Sequence, residues 1–276
     1  MNGEKSICDV QTRILDVMKY IDALCRKNGI VYYIMGGTAL GAVRHGGFIP
    51  WDDDLDIFMT PKEYAKFKNA MEQDANPKFM LQEWQTTPNR IEYAKVRMNG
   101  TTFIEESFKD RKDMHHGIYV DIMMLHKVPD NSFIKRLVYY ESKFVQLYAL
   151  TQRNWSPKTK GQQLIVSLLR FLPCKWMAKV FFERIFKYDD MTKGFMFCYW
   201  LTPAKFKSGL FDPKFFDSPV DIPFEDTVLY GSKYIKEYLK YRYGDYMKMP
   251  SEEQQRAAVH AMIFDTEKDY TEYINR

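Results

Sequence analysis

From Ile7 the apolar positions Ile7, Val10, Ile14, Val17, Ile21 and Leu24 recur at intervals of three and four, which predicts an amphipathic helix ending near Gly29. The pattern then shortens. Ile30 to Met35 is a continuous β-branched and aromatic run broken by Gly36-Gly37, read as a short buried strand, and Thr38 to His45 reads as a short helix. Leu55 to Met59 alternates in strand fashion, with Leu55, Ile57 and Met59 on one face and Asp56 and Phe58 on the other. A second helix opens at Thr60, which can cap it, with Pro61 suited to the first position and Glu63 closing a capping box. Four runs, 79–84, 91–98, 101–107 and 117–125, have strand composition, and Asp121 lies in the middle of the last. Beyond Pro129 the texture becomes aromatic, basic and helical as far as Tyr188. A Pro-, Phe- and Asp-rich stretch then runs from Pro203 to Phe224, before a final helix from Ser232. These elements predict an α+β protein: a mixed-sheet core at 31–125, an N-terminal helix, and a largely helical, basic part from 126 to 276, all within a single domain 1–276.

The total charge of +4 over 276 residues gives no reason to expect a nucleic-acid partner. Its distribution says more. Residues 131–210 hold 14 Lys+Arg against 4 Asp+Glu, so the rest of the chain holds 26 against 32. A basic middle segment set in an acidic body points to an anionic partner. The simple reading of 133–187 is core helices with solvated basic faces; the alternative sets that face against anionic lipid headgroups or a polyprenyl-diphosphate-linked acceptor. Cys8, Cys25, Cys174 and Cys198 show no metal-site or disulfide spacing, and the N-terminus lacks a signal-peptide apolar run. The most apolar window is interrupted by Arg170, Lys175, Lys179 and Glu183. A cytoplasmic protein is expected, with peripheral contact at the inner face of the membrane.

The candidate chemistry lies in Gly36–Met59. On a strand, Asp54 and Asp56 point the same way about 7 Å apart. Magnesium favours one or two carboxylates, with other positions left to water and phosphate oxygens, and Asp121 from a neighbouring strand would complete a two-metal site. Gly36-Gly37-Thr38, between a strand and a helix, can turn backbone N–H groups and a hydroxyl toward a phosphate. Arg44 and His45 could neutralise charge there. Asp52 and Asp53 are read as solvated or turn-capping, and Trp51 as a packing residue. His115-His116 are expected to end a loop, since their spacing is not that of a zinc site. His260, one helical turn beyond Arg256, is expected to be structural. Tyr243, Asp245 and Tyr246 are assigned to packing and a turn, with a weaker claim on substrate.

The order strand, Gly-Gly-Thr, helix, Asp-x-Asp strand and later Asp strand resembles the nucleotidyltransferase fold. More specifically, "GGTALGAVRHGGFIPWDDDLDIFM" resembles the signature of the LicD family, whose members include phosphocholine transferases acting on bacterial cell-surface glycans and which is related to the fukutin-type proteins. "AKVRMNGTTF", "HGIYVDIMML" and "YLKYRYGDYMKMPSEEQQRAAVH" resemble further blocks of that family, so the likeness runs from Ile7 to His260. It departs at Met124-Leu125-His126, where the family often has Pro-Leu-Asp, and at Ala39-Leu40, where it often has two leucines.

The resemblance implies a transferase that uses Mg²⁺ or Mn²⁺ to move phosphocholine or a related phospho-alcohol from a CDP-activated, CDP-choline-like donor. The acceptor would be a hydroxyl of a cell-surface glycan, lipopolysaccharide or teichoic acid among them, or of its lipid-linked precursor. Asp54, Asp56 and Asp121 would bind the metals, and Gly36, Gly37, Thr38, Arg44, His45, Lys95 and Arg97 the substrate. The alternatives are a nucleotidyltransferase with an NTP donor and a non-catalytic binding protein of this fold.

Overall fold

The computed structural model describes residues 6–83, 93–151, 161, 163–164, 167–168, 174–198, 209–256 and 259–274. Helix α1 (Ile7–Lys27) starts at Ser6, whose amide and hydroxyl both donate to Asp9 Oδ2, and it ends on Arg26 and Lys27. Those charges suit the two poles of the helix dipole. Its three-and-four repeat buries Val10, Ile14, Val17, Ile21 and Leu24.

Strand β1 (Tyr33–Ile34) is only two residues long, where the apolar run predicts six. Gly36 turns the chain into a left-handed conformation with φ +53°, and α2 (Gly36–His45) begins there, two residues before the expected start. Strand β2 (Asp56–Met59) excludes Leu55, and its expected one-sided alternation is absent, because Leu55, Ile57, Phe58 and Met59 are all buried. The reason is its position: β2 lies between two other strands and has α2 and α3 (Pro61–Asp74) packed against it. Thr60 caps α3 as expected, its hydroxyl accepting the Glu63 N–H.

Strands β3 (Phe79–Gln82), β4 (Ala94–Met98), β5 (Thr102–Glu105) and β6 (Tyr119–Met124) follow the four predicted runs with trimmed ends. Trp84 and Ile91, at run boundaries, lie outside the described residues. The main sheet has the order β1-β2-β6-β4-β3, in which β1–β2, β3–β4 and β4–β6 are antiparallel.

The chain forms two compact units, the second built from 83–93 and 124–213. There β7 (His126–Val128), β8 (Phe195–Phe197) and β9 (Leu210–Phe211) make a small antiparallel sheet, with α4 (Ser132–Thr151) and α5 (Cys174–Ile185) between β7 and β8 in the chain. Val128, Val138, Ile185 and Phe197 form the core under one end of the two helices, and Tyr148 and Ala178 meet toward the other.

Residues from Lys214 onward belong to the first unit. They are less helical than expected. A hairpin of β10 (Pro219–Phe224) and β11 (Thr227–Ser232) precedes α6 (Ile235–Tyr243) and the short α7 (Glu252–Arg256). Strand β12 (Ala261–Asp265) then pairs antiparallel with β5. The hairpin arises because Pro219 to Ser232 places extended apolar runs on both sides of Glu225-Asp226, with Glu225 at φ +52° in the turn.

Candidate active site

The β4–β6 register accounts for the site's inner wall. Lys95 lies opposite Asp121 and Arg97 opposite Tyr119, so all four side chains leave one face of the sheet. Lys95 is 1% exposed; its ammonium lies 2.8 Å from Asp121 Oδ1, 3.5 Å from Glu105 Oε1 and 3.3 Å from the Tyr119 ring centroid. A buried cation there is held by two carboxylates and an aromatic face. Arg97, also 1% exposed, donates to Gln82 Oε1 and the Gly117 carbonyl and stacks over Tyr119. The sequence reading places Arg97 among the substrate-binding residues; the structure encloses it one pleat away from Asp121.

The outer wall comes from the segment between α2 and β2. Asp54 lies just before β2, so the Asp54–Asp56 pair is not two positions of one strand as the sequence predicts. Both carboxylates nonetheless enter one acidic cluster with Asp52 and Asp121. The α2 start is moulded to it. A Cβ on Gly36 would lie 3.5 Å from Asp56 Oδ2 and 3.8 Å from the Tyr243 hydroxyl, and one on Gly37 would lie 2.7 Å from Asp52 Oδ2. The Gly36 N–H donates to the buried Tyr238 hydroxyl, and the Thr38 hydroxyl accepts the Asp56 N–H. Thr38 therefore fixes the start of β2 and keeps a proton to donate. At the far end of α2, Arg44 Nε donates to His45 Nε2 and its Nη1 to the Tyr246 carbonyl, while His45 meets Trp51 edge-on. Burial and then Arg44 lower the His45 pKa, so the ring is neutral near pH 7 and can accept that bond.

Two aspartates depart from their expected roles. Asp53, read as solvated or turn-capping, is buried. It accepts the N–H groups of His260 and Ala261, and its Oδ1 is 2.9 Å from His260 Nδ1. Asp52 joins the cluster rather than the solvent: Asp52, Asp54 and His260 each offer a ligand atom within 4.8 Å of the others. His260 stands immediately before β12, and it and Val259 lie outside any helix, so it is not presented one helical turn beyond Arg256. Tyr243, assigned to packing, puts its hydroxyl near Gly36 and feels the charges of Asp56 and Asp52. His115 and His116 lie outside this group, bonded to Asn99 Oδ1 and the Arg111 carbonyl, as their loop assignment predicts.

The electrostatics follow from crowding. Burial, then Asp54, pushes Asp52 up to about 8. Burial, then Asp54 and Asp121, raises Asp56 well above the usual carboxylate range. Asp121 rises to about 6, burial outweighing the opposing pull of Lys95. Burial also acts upward on Glu105, but Lys95 and Arg97 prevail and hold it low. The hydrogen bond to Asp53 lifts His260 to about 9. Four neighbouring carboxylates that resist ionisation form a donor set suited to a divalent cation: oxygen ligands accept Mg²⁺ or Mn²⁺, and the imidazole widens the choice. His260 Nδ1, 2.9 Å from Asp53 Oδ1, is also 3.7 Å from Asp54 Oδ2, so Asp53 fixes the ring at the edge of the cluster.

The rest of the chain offers less chemistry. Cys8 is exposed, and Cys25 and Cys198 are buried. No helix among the described residues is long and apolar enough to cross a membrane.

The chain is similar to known proteins over most of its length. Residues 29–146 match the model for the LicD/FKTN/FKRP nucleotidyltransferase domain. The chain is 26% identical over 246 residues to the lipopolysaccharide cholinephosphotransferase LicD of Haemophilus influenzae, covering 88% of this chain and 91% of that one. It is 30% identical over 144 residues to the uncharacterized protein RP689 of Rickettsia prowazekii, covering 52% and 48%. Ribitol 5-phosphate transferase FKRP of Homo sapiens is 40% identical over 42 residues, 15% of this chain and 8% of that one. Residues 29–146 of this chain therefore carry a LicD-family nucleotidyltransferase domain.

Proposed function

We propose that this protein transfers phosphocholine or a related phospho-alcohol from a CDP-activated donor to a hydroxyl of a cell-surface glycan or its lipid-linked precursor, using Mg²⁺ or Mn²⁺. The observation that carries this reading is the acidic cluster of Asp52, Asp54, Asp56 and Asp121 beside the glycine start of α2. Two relatives bear names that describe movement of a phosphorylated alcohol, choline phosphate in one and ribitol 5-phosphate in the other.

A cation held by Asp54, Asp56 and Asp121, with Asp52 and His260 beside it, would neutralise the donor phosphates and stabilise the departing nucleotide oxygen. The chain's own groups do the remainder. The Thr38 hydroxyl, fixed by the Asp56 N–H, can donate to a phosphate oxygen, and Gly36-Gly37 leave room for that oxygen to approach. Lys95 keeps Asp121 in place from below. Asp52, hydrogen-bonded to Asp54, is a carboxylate to which the acceptor hydroxyl's proton can pass. Arg44 at the end of α2 offers positive charge to the donor.

The test is incubation with CDP-choline, CDP-ethanolamine, CDP-glycerol and CDP-ribitol, with and without Mg²⁺ or Mn²⁺. Metal-dependent CMP release from one of them is the expected result. Pyrophosphate release from an NTP, with no CMP from any CDP-alcohol, would assign nucleotidyl transfer instead.

A further inference from the structure

Helix α6 brings two tyrosine hydroxyls to Gly36, and packing accounts for only one of them. Tyr238 is 2% exposed, and its hydroxyl accepts the Gly36 N–H at 3.1 Å, which supports the start of α2 from within. Tyr243 is the last residue of the same helix, followed by Gly244 at φ +70°. It is 42% exposed, a ring that adds little to the core. Its hydroxyl nonetheless turns inward. It lies 3.8 Å from the point that a Cβ on Gly36 would occupy, and Asp56 Oδ2 lies 3.5 Å from the same point.

Gly36 has no side chain to put there, so the space between the Tyr243 hydroxyl and the Asp56 carboxylate is left for an atom that the chain does not supply. The space adjoins the first turn of α2, ten residues long, where unpaired backbone N–H groups and the helix dipole favour negative charge. Thr38, whose hydroxyl accepts the Asp56 N–H, belongs to that turn. Tyr243 itself is prepared to donate. The Arg242 guanidinium hydrogen-bonds its hydroxyl, and because a guanidinium only donates, the phenol accepts that bond and can still give its own proton. Burial keeps the phenol protonated against the opposing pull of Arg242. A neutral donor facing a carboxylate that holds a cation suits a phosphate oxygen. An acceptor sugar hydroxyl would gain less there, since hydrogen bonds to charged oxygens are the stronger ones.

We infer that Tyr243 contacts the substrate: its hydroxyl donates to a phosphate oxygen of the nucleoside diphosphate donor seated over Gly36, opposite the Asp56 carboxylate. The inference rests on the CDP-alcohol reading above and adds to it a residue from the far end of the chain.

The probes are Mn²⁺ with CDP, titrated calorimetrically into the full chain, and Mn²⁺ alone, followed by electron paramagnetic resonance. Tyr243→Phe keeps the ring and deletes the hydroxyl. It should bind CDP in the presence of Mn²⁺ about tenfold or more weakly than the parent, the usual result of losing a hydrogen bond to a charged group. Its affinity for Mn²⁺ alone and its melting temperature should match the parent's. Tyr238→Phe is the contrast, since it strips the partner from the Gly36 N–H and should lower the melting temperature. Unchanged CDP affinity in Tyr243→Phe would overturn the inference and leave the transferase reading standing. A fall in Mn²⁺ affinity or melting temperature alongside CDP affinity would also overturn it, assigning the hydroxyl to support of the α2 start. Failure of the parent itself to bind CDP with Mn²⁺ would remove the CDP-alcohol reading and the inference together.

Discussion

Replacing Asp56 with Asn removes one charge from a cluster whose members already raise one another's pKa, so its two effects have opposite signs. Turnover should fall by roughly a hundredfold or more, as for groups that hold or orient a metal. In EDTA, however, the variant should melt higher than the parent, because a buried repulsion has gone. Paired initial-rate and calorimetric measurements check both. At Lys95 the sign reverses. Lys95→Met strips the ammonium from Asp121 and Glu105 and should cost about 3–5 kcal/mol in urea unfolding, the usual result of orphaning a buried charge. Combining it with Asp121→Asn should recover part of that loss. Asp54, Asp56 and Asp121 were legible in the sequence because acids interrupting strand-like apolar runs are conspicuous. The bond between Asp53 and His260 was not, since it joins residues 207 apart and no periodicity spans that distance. Arg97 misleads for a related reason: its alternation with Lys95 puts both on one face, but only the cross-strand partner distinguishes the cluster from the interior.

At the scale of elements, the β10–β11 hairpin buttresses the loop that follows α2. Glu225 Oε1 accepts the Phe48 N–H at 2.8 Å, the Glu225 N–H donates to the Gly46 carbonyl, and a Cβ on Gly47 would come within 2.0 Å of Glu225 Oε1. Gly47 is thus glycine because a carboxylate fills its side-chain space, not because the backbone there demands it. Gly47→Ala should cost about 1–3 kcal/mol and Glu225→Ala about 1 kcal/mol. In the Glu225→Ala background the alanine should be nearly free of penalty, giving a non-additive double-mutant cycle by urea unfolding. Helices α1 and α3 were legible to within a residue at their starts because caps and periodicity agree there. The strands at the sheet centre were less so: β1 and β2 are short and enclosed on both faces, where alternation carries no signal.

For the whole molecule, the raised groups around the acidic cluster bias stability one way, while His45, His115 and His116, lowered by burial, oppose them only below about pH 6.5. Asp52 at about 8 and Asp121 at about 6 lie above the ordinary 3.8, and His260 at about 9 lies above 6.5. Above that pH the folded chain binds more protons than the unfolded one, and stability should fall as pH rises from about 6.5 to about 9. A divalent cation should raise the melting temperature more at pH 8 than at pH 5.5, where protons compete for the same atoms, and EDTA should reverse the gain. Thermal unfolding at constant ionic strength across that range, with and without Mn²⁺, measures both. The first unit is also assembled from segments far apart in the chain, since residues from Lys214 onward return to the core begun before Gln82. Birth order then matters. A nascent chain grown to Ser232 has made every aspartate of the cluster, yet Asp53 waits for amides that arrive only with His260 and Ala261. Until those residues leave the ribosome, the acidic pocket is open on one side, so a released chain truncated at Val259 should remain protease-sensitive around Asp53 while one extended past Asp265 becomes protected.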